Sequence, residues 1–196
     1  MPALEITLDG VTVAAVSTNE LTMLAVTVSG MLIHEAIASL NVSGGHYSQS
    51  GSSTYLTWIA DTPLQAGQQI RVLFHQDGQS SHAGKTIDEL YPDEPPVAQT
   101  DFAPTTEMFH ELRAMPKVHE KFVIDLSASS GASFHGETTA PEDSFALSIL
   151  WDSTLPERAR VSLHSNSLDN LEVKGAPNSL LKENITWGGF IELRIS

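Results

Sequence analysis

The chain has no cysteine among its 196 residues. That excludes disulfides, thiol catalysis and cysteine-ligated zinc. Basic residues are scarce: 10 Lys and Arg stand against 24 Asp and Glu, a formal charge of -14. The excess is spread along the chain, -8 over residues 1–98 and -6 over residues 99–196. Such a field opposes nucleic acid and anionic membranes and suits a basic protein partner. Aromatics make up only 7%. No apolar run approaches the roughly 20 residues that a bilayer helix needs. The opening residues Met1 to Asp9 carry neither a basic region nor a continuous apolar segment, so they do not read as a signal peptide. The sequence therefore predicts no membrane association and a cytoplasmic setting.

What is present is alternation. Leu4, Ile6 and Leu8 alternate with polar residues, Asp9-Gly10 gives a hairpin turn, and Val11, Val13 and Ala15 resume the pattern. Leu24, Val26 and Val28 share a face. Residues 31–41 fit a helical stripe or a strand face, and the β context favours strand. Residues 43–53 are rich in Gly and Ser and read as a loop. Strands are expected at 54–60 and 68–74, Asp77-Gly78 is a second turn, and 86–91 fits a strand or a short helical turn. Pro92 to Pro96, with Pro104, reads as a linker. Thr105 or Thr106 caps a short helix carrying Met108, Phe109 and Leu112, which Pro116 stops. The alternation returns at 122–127 and 144–151 and at 159–164, with Phe134 in another short strand. Short strand candidates follow at 168–173, 179–181 and 185–187, and Phe190, Leu193 and Ile195 close the chain.

These signals predict an all-β protein of antiparallel β-sandwich type, in two similar units with one short linking helix. The units span residues 1–98 and 99–196. An internal echo supports them: Tyr55 to Val72 resembles Ala146 to Leu163, each an apolar run ending in Asp (Asp61, Asp152), followed by a polar turn and a second alternating run.

The motifs for chemistry are weak. Neither His34-Glu35 nor His119-Glu120 has the second histidine of H-E-x-x-H, no G-x-S-x-G elbow occurs, and Gly84-Lys85-Thr86 lacks the first glycine of a phosphate loop because position 79 is Gln. No metal or other cofactor is expected. Asp61 and Asp152 read as turn acceptors at strand ends. Trp58 and Trp151 lie in apolar runs and read as core.

The candidate binding surface comprises His46, Tyr47, Tyr55, His75, Asp77, His82 and Trp187. His75, Asp77 and His82 flank one loop, and His46 comes from the neighbouring Gly/Ser loop. Tyr47, Tyr55 and Trp187 offer apolar area with a polar tip. The resulting expectation is a non-catalytic, acidic protein-binding module. It would be an inhibitor or immunity-like partner of a basic protein, or an assembly protein that self-associates through sheet edges. The alternatives are a hydrolase with a His/Asp loop site and a carbohydrate-binding module using Tyr47 or Trp187.

Overall fold

The computed structural model describes residues 1–47, 51, 53–93 and 103–196. Parts of the Gly/Ser loop (48–50 and 52) and of the proline-rich linker (94–102) lie outside the described residues.

Strict alternation of apolar residues needs one buried face and one wet face, which a two-layer sandwich supplies. Among the described residues, twelve strands form two six-stranded antiparallel sheets. They are β1 (Ala3–Leu8), β2 (Val11–Ser17), β3 (Met23–Met31), β4 (Ala38–His46), β5 (Thr54–Leu64) and β6 (Gln69–His75) in the first half. The second half supplies β7 (Val123–Ala128), β8 (Ser133–Glu137), β9 (Ser144–Asp152), β10 (Arg158–Asn166), β11 (Asn178–Thr186) and β12 (Phe190–Ile195). Sheet A runs β2-β1-β6-β12-β7-β8 and sheet B runs β11-β10-β9-β3-β4-β5.

The all-β, two-unit sandwich architecture expected from the alternation is thus present, and the arrangement of its units is specific. Exchange β1–β6 with β7–β12 and both sheet orders read the same. Each half gives three strands to each sheet, and the halves meet at the central antiparallel pairs β6–β12 and β3–β9. One buried cluster draws on both halves. Equivalent positions lie 120 or 121 residues apart: Leu4 with Ile124, Ile6 with Leu126, Ala38 with Ala159 and Ile70 with Ile191. The hydrogen bonds repeat at the same spacing. Gly67 N–H donates to Ile195 O and Gly188 N–H to Phe74 O, each at 2.7 Å. Thr18 N–H donates to Pro2 O and Thr138 N–H to Phe122 O, each at 2.9 Å. The turn glycines recur in the left-handed region, Gly10 with Gly131 and Gly67 with Gly188.

The repeat is real, but it does not follow the echo seen in the sequence. That echo aligns β5, an edge strand, with β9, a central one; topology matches β5 with β11 and β9 with β3. Asp61 and Asp152 are accordingly not equivalent. Asp152 accepts the amide and hydroxyl of Thr154 and a 3.1 Å bond from Arg160. Asp61 lies within β5 at φ 31, where Asn41 donates to it at 3.4 Å.

The core is made by inward-facing residues such as Leu4, Ile6 and Phe74 from sheet A and Leu24, Val26, Ile149 and Leu163 from sheet B. Each such side chain contributes about 1.5–3 kcal/mol on burial. Phe122 meets Phe145 edge-on at 4.7 Å. Trp151 is core, as expected, and donates from Nε1 to Pro156 O.

Several local expectations change. Residues 43–46 continue β4 instead of starting the loop. A Cβ at Gly44 would sit 2.5 Å from Met23 O, and one at Gly45 would sit 2.0 Å from Thr54 O. Glycine here permits close strand approach. Residues 31–41 form the end of β3, a turn and the start of β4, so the single strand expected there is broken in two. Residues 168–173 include a short helix, α3 (Leu168–Glu172), in place of a strand, because the Ser167 side chain caps it by accepting from Asn170 N–H. The helix α1 (Ile87–Leu90) has a capping box between Thr86 and Glu89. The linking helix, α2 (Thr106–Ala114), is capped by Thr105 and stops ahead of Pro116, as its sequence predicts. No helix among the described residues is long and apolar enough to cross a membrane.

Candidate functional site

The edge strands β2 and β5 face each other across one side of the sandwich, and the segment after β6 runs between them. Strand edges carry free N–H and C=O groups, and this segment satisfies several. Ser81 N–H donates to Ala15 O at 2.8 Å, and the hydroxyls of Ser81 and Ser80 accept from the amides of Ala15 and Ser17. At the other edge Lys85 and Thr57 exchange both backbone bonds at 2.8 Å. The local sequence suits the task. Two serines are short enough to bond backbone directly. A Cβ at Gly84 would stand 2.9 Å from Leu56 Cβ and from the Trp58 ring, so the chain there comes down onto β5.

A groove of about 880 Å³ lies between this segment, the β2–β3 turn and β5. Its size is that of a ligand-binding cleft. Leu21, Leu56 and Trp58 supply apolar lining, and Asn19, Glu20, Gln79, His46 and His82 supply polar groups. Glu20 sits in the turn at φ 63 and is exposed. Among the described residues, no lysine or arginine lines the groove.

His82 is held at both ring nitrogens. Nε2 lies 3.2 Å from Trp58 O, an acceptor only, so Nε2 carries hydrogen and donates. In the neutral ring, Nδ1 then accepts the Ser81 hydroxyl at 2.9 Å. Trp58 is half-buried, and its Nε1 is fully buried with no hydrogen-bond partner among the described residues.

The sequence candidates separate into groups. His46 and His82 share the groove. Tyr47 follows β4 directly, its amide donating to Thr22 Oγ1 at 2.9 Å. Tyr55 is half-exposed on β5 and is not among the groove-lining residues, unlike its neighbours Leu56 and Trp58. His75 does not join His82; its Nε2 lies 2.7 Å from Glu5 Oε2, joining β6 to β1. Hydrogen bonds from His75 and Thr12 hold the Glu5 carboxyl below the usual carboxylate range. Asp77 pairs with the Met1 ammonium at 2.6 Å. Trp187 is exposed on the β11–β12 turn, outside the groove lining. No three His, Asp or Glu side chains among the described residues stand close enough together to hold a metal ion.

Glu20, Leu56 and Trp58 were not legible as site residues. Asn19-Glu20 reads only as a break between strands, and Trp58 reads as core. The missing information was that β5 is an edge strand, which leaves its inward side chains half open. No protein-family model, curated protein or solved structure matches this chain.

Proposed function

We propose that the protein is a non-catalytic binding module that takes a basic protein partner at the groove between β2 and β5. The observation that carries this reading is the groove's lining: among the described residues, an apolar and aromatic wall, the carboxylate of Glu20 and no lysine or arginine, on a chain of net charge -14. Long-range attraction would steer a basic partner, and the groove would give it a specific seat. An inhibitor or immunity-like partner of a basic enzyme is the finer form of this proposal, in a cytoplasmic setting.

One observation favours a second reading. The Ser81 hydroxyl and His82 ring are 2.9 Å apart, the contact a hydrolase would use. Ser81 Oγ also accepts from the Ala15 amide, however, and His82 is turned to a backbone carbonyl, which fits a structural tie.

Capture from native lysate at low and high salt tests the proposal when paired with ester-hydrolysis assays. The expected result is a stoichiometric basic protein retained at low salt and released at high salt, with no turnover. Ester turnover abolished by Ser81→Ala in a folded protein would replace it with the hydrolase reading.

A further inference from the structure

We infer that the groove is a seat for an arginine side chain projecting from the partner, an inference that rests on the binding reading above. An arginine has an apolar stem and a planar cation, and the groove offers a counterpart to each. Leu21, Leu56 and the half-buried Trp58 give the stem a surface to lie along. Trp58 lines the groove, an indole being the side chain that best attracts a guanidinium, and Glu20 is the one carboxylate in the lining among the described residues. The side-chain carbonyls of Asn19 and Gln79 are further acceptors for a group with five N–H donors. Lysine would use the charge but not the planar donor fork. The volume of about 880 Å³ leaves room beside the arginine for the protein segment that would carry it.

The chain's own contacts leave this chemistry free. Glu20 makes no salt bridge among the described residues, whereas Arg71, Arg113, Lys117, Lys121 and Arg160 are each paired with carboxylates elsewhere. Glu20, exposed and outside those pairs, is open to a cation from outside.

The test is a titration of isotope-labelled protein with N-acetyl-arginine amide, using N-acetyl-citrulline amide as the neutral isostere. The Trp58 indole signal is assigned with Trp58→Phe. The expected result is movement of the Trp58 ring signals and of the Glu20 and Gln79 amides with the arginine compound alone. Glu20→Gln should weaken that response by about fivefold or more, as loss of a charge-assisted bond requires, while leaving the rest of the spectrum in place. Equal responses to arginine and citrulline, or shifts confined to residues outside the groove, overturn the seat. If lysate capture still yields a basic partner that Glu20→Gln retains at wild-type strength, the seat falls and the binding reading stands. If no partner is captured at any salt, the binding reading falls and the seat with it.

Discussion

At the scale of single residues, ionisation sets how the fold responds to acid. The Glu5 carboxyl is held low by its bonds from His75 and Thr12, while burial holds His164 below the ordinary histidine value of 6.5. Both groups bind protons more readily in the unfolded chain, so both make stability rise with pH. The His164 contribution is fully present above 6.5 and is lost as pH falls from there toward its lower folded value. The Glu5 contribution is fully present above the ordinary carboxylate value of 4.5 and is lost as pH falls through its folded value. Urea midpoints measured from pH 7.5 to 3 should therefore fall in two stages, and His164→Gln should flatten the first. An unchanged first stage would assign it to another group. Steric room sets a second response, and at Gly45 there is none. Gly45→Ala places a Cβ 2.0 Å from Thr54 O, with only backbone to yield, and is expected to cost at least 1–3 kcal/mol in urea unfolding, about the cost of an overpacked core.

At the scale of elements, what could be read from the sequence depended on whether a signal was local. Alternation in Leu4-Glu5-Ile6 and in residues 144–151 found β1 and β9, and Thr105 with Pro116 bracketed α2, because each cue lies inside its own element. Gly44 and Gly45 misled because their role is set by β3 and β5 across the sheet. The repeat was assigned to the wrong strands because apolar strands of similar length resemble one another. Its better local markers were the turn glycines, Gly67 before Ile70 and Gly188 before Ile191, which occupy the same left-handed conformation. Of the candidate groove, His46 and His82 were both named from the sequence, though His46 ends β4 and does not sit in the loop expected for it. Glu20 and Trp58 were not, since neither the openness of β5 nor the course of the β2–β3 turn is written in local pattern. The segment between β6 and α1 yields its own prediction. Ser81→Ala removes the hydroxyl that accepts from Ala15 and faces His82, at a cost of about 1 kcal/mol. Amide exchange should quicken at Ala15, Ser17 and Thr57 while the central pair β3–β9 is unaffected. Uniform quickening across both sheets would mean that the segment is not a separable strap.

At the scale of the whole molecule, a repeated six-strand unit builds one sandwich and the loops make the halves different. The β2–β3 turn and the segment following β6 border the groove in the first half, while α3 occupies the β10–β11 connection in the second. The proposed site thus lies on connections, held in place by the repeated sheets. Charge acts at the same scale. A net -14 raises the encounter rate with a basic surface at low salt, and screening beyond about 10 Å removes most of that advantage at 0.1 M. A basic partner seated in the groove is checked by comparing wild type with Ala83→Arg for its capture at low salt. Ala83 lines the groove and is exposed, so the new cation enters the site without disturbing the core. Ala83→Arg should capture it at least tenfold more weakly, the scale of a like charge at an interface. Capture at equal strength by the two proteins would contradict it and move the partner off the groove.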